Sequence, residues 1–169
     1  LFNTSRACIY PAKYNFETWT SLNDSIMGGS SYSECNLTSE GLKMEGFLIE
    51  EGGGFVSCRS QLFEPALDLS DFKGIQLNID GNGSTLKFAI ACKDGIFNMS
   101  NFFSGGIRWI SEFKTETSGT TSHNIYFKDL QPSVRAKPVY TPFGFSSSKI
   151  KQFQLLYSKF GRPGELNPQ

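Results

Sequence analysis

The sequence has one histidine, His123, and four cysteines with no C-x-x-C pair, and its 16 basic residues are balanced by 16 acidic ones. Each scarcity excludes something. A structural zinc site needs four His or Cys ligands at close spacing, which Cys8, Cys35, Cys58, Cys92 and one histidine do not offer. Nucleophilic hydrolysis wants a Ser or Cys beside a histidine base. The lone His123 sits at a predicted strand start, where it reads as a solvated side chain, and no G-x-S-x-G elbow is present. A neutral total gives no general attraction for nucleic acid. No apolar run approaches the roughly 20 residues that span a bilayer. Loop-side carboxylates are plentiful (Asp24, Glu50, Glu51, Glu64, Asp68), but no spacing selects two of them as a glycosidase pair. No catalytic constellation and no cofactor or metal requirement emerges. Cys58 and Cys92 lie within apolar runs and read as small buried thiols. The spacing neither argues for a disulfide nor excludes one.

Helical periodicity is missing too. The apolar period is two almost everywhere. "GIQLNID" places Ile75, Leu77 and Ile79 on one face, and "LKFAIAC" places Leu86, Phe88, Ile90 and Cys92 on one face. Between them "DGNGST", with Gly81 and Gly83, has the chemistry of a tight hairpin turn, so a hairpin is predicted over 74–92. Further strands are predicted at 42–49, 54–60, 106–113, 123–130 and 150–158, and at most a short helical turn near "SSSKIKQF". Short alternating strands at this spacing predict an all-β chain of two antiparallel sheets packed face to face. Residues 1–14 read as a tail or edge segment, and 15–169 as one sandwich domain. The start at Leu1 implies that any targeting segment has been removed or left out. Five Asn-x-Ser/Thr sequons, at Asn3, Asn23, Asn36, Asn82 and Asn98, matter only if the chain is secreted.

Two glycine-rich stretches stand out. In "EEGGGFVSCRS", Gly52, Gly53 and Gly54 precede Phe55 and a strand, with no following helix and no Lys-Ser/Thr pair. A phosphate loop is therefore rejected in favour of a bulge or backbone crossing. Arg59 in that strand reads first as a structural ion-pair partner and second as a ligand contact. "WTSLNDSIMGGSSYS", residues 19–33, reads as a connector. In it Asn23 and Asp24 hydrogen-bond a turn, Met27 plugs the core, and Gly28 and Gly29 let the chain cross closely. An Asp24–Arg59 ion pair is the first contact expected. Trp109 reads as core. Trp19, Asn23, Asp24 and Arg59 are the binding candidates, as contacts for a sugar. A modest C-terminal basic bias (Arg135, Lys137, Lys149, Lys151, Lys159, Arg162) is the corresponding feature for RNA, an anionic membrane surface or an acidic partner.

The string W-x-x-x-N-D-x-x-M-G-G-x-S (Trp19, Asn23, Asp24, Met27, Gly28, Gly29, Ser31), then Phe47, "GGGFVSCR", "LDLSDFKGIQLNIDGNG" and "IYFKDLQPSVRAKPV", resembles the complex I intermediate-associated protein 30 family over residues 16–167. "QLLYSKFGRPGELNP" resembles its variant in photosynthetic organisms. The resemblance implies a galactose-binding-like jelly-roll sandwich, here expected to lack its last strand. It also implies a non-catalytic assembly factor or accessory subunit of a photosystem or NADH dehydrogenase type complex. Its partners would be subunits of that complex, with RNA as a further candidate, and it would lie peripheral to the membrane. Chloroplast thylakoid or cyanobacterial cytoplasm is the implied location, and the mitochondrion the alternative. A carbohydrate-binding module or an RNA-binding factor is the alternative function.

Overall fold

The computed structural model describes residues 18–93, 106–134, 137–159 and 166–167. Eleven strands are described: β1 Trp19–Ser21, β2 Tyr32–Thr38, β3 Gly41–Phe47, β4 Phe55–Ser60, β5 Gly74–Ile79, β6 Thr85–Cys92, β7 Arg108–Lys114, β8 Thr121–Tyr126, β9 Gln131–Val134, β10 Lys137–Pro138 and β11 Ile150–Ser158. Two 3-10 turns, Asp24–Met27 and Phe127–Asp129, interrupt them. Every pairing is antiparallel. A seven-stranded sheet runs β1-β4-β11-β6-β7-β9-β10, and two two-stranded sheets, β2-β3 and β5-β8, accompany it. The fold is all-β, as the period-two pattern requires, and of the jelly-roll sandwich type.

The core forms between layers. Leu86, Phe88 and Ile90 of β6, Trp109 and Phe113 of β7 and Phe153 of β11 meet Ile75 of β5 and Ile125 of β8, with Phe63, Leu67 and Leu69 closing one side. Phe63 stands edge-on to Phe153 at 5.2 Å, a geometry that the ring quadrupoles favour. Each fully buried side chain of this size is worth about 1.5–3 kcal/mol relative to exposure.

The predicted hairpin over 74–92 is not one. β5 pairs with β8, β6 pairs with β11 and β7, and the connector carries the chain from one sheet to another. Asn82 (φ 51°) and Gly83 (φ 81°) take the left-handed conformations their residue types allow. The turn chemistry was legible, but it does not say whether the flanking strands bond edge to edge or pack face to face. Two strands with one apolar face each bury more by facing each other across the core.

Other differences are local. β1, β2, β9 and β10 lie where no strand was predicted. Ser146–Phe153 holds a turn and the start of β11, with no helical turn. His123 is not simply solvated. It alternates in phase with Ile125, stacks on the Phe113 ring at 4.3 Å, and burial holds its pKa below 6.5. Cys58 is bonded to Cys35, which fastens β2 to β4 (Cα–Cα 5.7 Å), and the Cys92 thiol donates to the Ser146 carbonyl at 3.4 Å. Between β3 and the end of β5 a groove of about 850 Å³ opens over Leu86, Leu155 and Tyr157.

Candidate functional site

The "WTSLNDSIMGGSSYS" stretch builds a small, closed polar centre. β1 ends at Ser21, Asn23 is extended, and the chain then makes one 3-10 turn closed by Gly28 at φ 89°. Of the four turn residues only Asp24 points inward, with no exposed surface. Its Oδ1 accepts the Ser31 N–H at 2.9 Å, and its Oδ2 accepts the Ser31 hydroxyl at 2.5 Å and the Gly54 N–H at 2.6 Å. The Phe55 N–H approaches the same oxygen at 3.4 Å. Ser31 Oγ in turn accepts the Ile49 N–H at 2.9 Å. Beside it, Asn23 Oδ1 accepts from the Ser33 hydroxyl at 2.8 Å and the Ser57 N–H at 3.3 Å. One Asn-Asp pair thus ties the turn to the start of β2, the glycine loop and β4.

Burial alone would raise the Asp24 pKa. The hydrogen bonds from the Ser31 hydroxyl and from the Gly54, Ser31 and Phe55 amides outweigh it and hold the carboxyl below 3.8. Among the described residues Asp24 has no cationic partner, so the expected Asp24–Arg59 ion pair is not formed. Oriented N–H and O–H donors stabilise the charge instead.

The glycines are explained by this carboxylate. A Cβ on Gly29 would stand 2.3 Å from Asp24 Cγ, and one on Gly53 would stand 2.3 Å from Oδ2. Gly53→Ala should therefore cost about 1–3 kcal/mol by overpacking, although Gly53 has no left-handed backbone angle to protect. Urea unfolding measures this. Gly52 and Gly54, by contrast, have positive φ.

Met27 does not plug the core. Asp24 occupies the inward position of the turn, and Met27 is 69% exposed. Ile26 (64%) and Phe47 (64%) are exposed as well, and Phe47 lies 5.7 Å from Tyr32, its cross-strand partner. Ile49, joined to Ser31, is the fifth exposed apolar residue around the Asp24 centre. Trp19 is half-buried and packs against the core cluster, and Trp109 belongs to that cluster. Gly81 lies against Thr115, and Gly83 turns the β5–β6 connector.

Arg59 lies elsewhere, on the polar face of the seven-stranded sheet. The register aligns Arg59, Gln154, Ala89 and Ile110 in one row across β4, β11, β6 and β7. Arg108, which sequence reasoning missed, is on that same face two residues before Ile110. Burial lowers the Arg59 pKa, and burial together with the nearby Arg59 charge lowers that of Arg108 to about 10. The alternation of Ile107, Trp109 and Phe113 does place Arg108 on the opposite face, but no local signal says that β7 and β4 share a sheet. Of the basic residues named for RNA, Arg135 and Arg162 lie outside the described residues. Lys151 pairs with Glu64 at 3.4 Å, and Lys159 donates to the Glu50 carbonyl at 2.8 Å.

Residues 8–167 match the family model described as complex I intermediate-associated protein 30. The chain belongs to that family. The family pattern thus runs through the buried Asn23–Asp24 centre, both glycine stretches and the Arg59 strand. No curated protein matches the sequence. Among solved structures, the family 11 carbohydrate-binding module of a cellulosomal cellulase of Clostridium thermocellum superposes with a TM-score of 0.57 at 16% identity, covering 83% of this chain and 78% of that one. A family 11 module from the same organism, in complex with a β-1,3-1,4-mixed-linked tetrasaccharide, gives 0.52 at 16%, covering 89% and 84%. An agarase gives 0.53 at 13%, covering 95% of this chain but 22% of that one. At such identities the likeness is one of fold alone.

Proposed function

We propose that this family member is a non-catalytic assembly factor or accessory subunit of a membrane-bound electron-transport complex, of NADH dehydrogenase or photosystem type, and that it docks through the exposed apolar side chains around the Asp24 centre. The observation that carries the reading is the exposure of Ile26, Met27, Tyr32, Phe47 and Ile49 on segments that meet at the Asp24 hydrogen bonds. Exposed apolar residues on a backbone fastened by buried hydrogen bonds are what a protein-binding surface needs. Family membership supports the NADH dehydrogenase side of this reading. No helix among the described residues is long and apolar enough to cross a membrane, which accords with a peripheral subunit. The carbohydrate alternative has less support in the candidate contacts: Asn23 and Asp24 are buried and spent on internal bonds.

Gentle solubilisation and affinity capture test the proposal. The chain should bring down subunits of one such complex, and Ile26→Asp with Phe47→Asp should reduce recovery about tenfold or more while the melting temperature stays within about 2 °C. Capture of no complex subunit, or undiminished capture by the folded double variant, would overturn it.

A further inference from the structure

The polar face of the seven-stranded sheet holds two arginines that the assembly reading does not use. In both Arg59 and Arg108 the Nε–H is buried and has no hydrogen-bond partner among the described residues. Stem packing explains why an arginine lies along a sheet. It does not explain a buried donor left unpaired in two side chains at once, since each such group costs about 1–3 kcal/mol. Nor does it explain two like charges brought close enough for one to depress the pKa of the other.

Among the described residues, the surroundings supply no unpaired anion. Gln154 donates to Ser57 Oγ at 2.9 Å and Gln152 to the Ser60 carbonyl at 2.9 Å, so both neighbouring amides are neutral and engaged. Glu112, on the same face of β7, is paired with Lys87 at 3.3 Å. Between the two arginines the row is floored by Ala89, and Ala91 lies two residues further along β6. Ala89 is only 4% exposed although it lies on the polar face, so the row between the two arginines is shielded from solvent.

We propose that Arg59 and Arg108 form a site for a compact oxyanion, a carboxylate or a phosphate group of a ligand laid across the polar face of the seven-stranded sheet. A guanidinium offers its Nε–H and one Nη–H as a parallel pair matched to two oxygens of such a group. One oxyanion would satisfy both orphaned donors and cancel the repulsion. The site is separate from the exposed apolar residues around Asp24 and does not depend on them.

The test is a titration of the purified chain with inorganic phosphate and, separately, with glutarate, against chloride at equal ionic strength. The Nε–H resonances of Arg59 and Arg108 should move together and saturate with at least one probe. The probe that saturates at the lower concentration identifies the ligand group. Arg59→Gln and Arg108→Gln should each weaken the response at least tenfold. Without a probe, Arg108→Gln should melt no lower than the parent, since it removes a buried like charge. The proposal is overturned if neither probe gives a saturable shift beyond chloride, if the shift survives Arg108→Gln, or if that variant is markedly destabilised, which would mean the guanidinium already has a partner within the protein.

Discussion

Asp24→Ala should be the most damaging substitution of a polar residue in the described structure, lowering stability by about 3 kcal/mol. The carboxylate is the acceptor for the Ser31 N–H and the Gly54 N–H, which have no alternative partner at that point once it is gone. Each orphaned buried donor costs about 1–3 kcal/mol. The Ser31 hydroxyl can turn to the Ile49 carbonyl 3.2 Å away, so its loss is partly recovered. For a domain of this size the expected drop in melting temperature is about 10 °C. Asp24→Asn keeps the volume and separates charge from cavity: its amide nitrogen would face N–H donors, and most of the loss should remain. The pH dependence has a definite sign. The folded-state pKa of Asp24 lies below the ordinary 3.8. Its contribution is therefore fully present above the unfolded-state value and disappears as pH falls through the folded-state one. Denaturation of the parent and Asp24→Asn should differ most above about pH 4 and converge in stronger acid. A constant gap down to pH 2 would show that shape, not charge, sets the effect.

Removing the Cys35–Cys58 bridge should cost a comparable amount, about 3 kcal/mol, from the loop entropy returned to the unfolded chain. The two residues are 23 apart in sequence, and the bond anchors the β2–β3 pair to β4. Cys58 has no exposed surface, so Cys58→Ser adds a buried hydroxyl to the loss of the bond. Cys35→Ser, at the less buried end, is the cleaner variant. Melting with and without a reductant should reproduce the difference in the parent and show none in Cys35→Ser. Thiol labelling of the native chain should leave Cys35 and Cys58 unmodified.

Much of the fold was legible because a strand's side-chain period is local. The faces formed by Ile75, Leu77 and Ile79 and by Leu86, Phe88 and Ile90 could be read from seven residues each, as could the core position of Trp109. The weaker elements were not legible for a physical reason. β1 is three residues long and β10 two, too short for any period to appear. β2, "YSECNLT", buries little beyond Ser33, so its apolar signal is faint. The candidate site was half visible. Asn23, Asp24 and the glycines could be picked out by residue type, and the family string joined them. Their arrangement could not: Asp24 meets Gly54 thirty positions away, and a carboxylate in a turn carries no mark of whether its counterpart is a cation or a set of amides.

The sequence by itself determined the all-β class, the alternating faces, the turn positions and membership of the family, because each rests on residue type and short-range period. Only the tertiary structure decided which strands pair, that the chain crosses between sheets after Ile79, that Cys58 meets Cys35, and that Met27 points to solvent while Asp24 is enclosed. It also decided that Arg108, 49 positions from Arg59 in the sequence, shares its sheet face. Strand pairing and burial are long-range choices, made by which set of apolar faces closes best and which polar groups then find partners. No window of neighbouring residues holds that information.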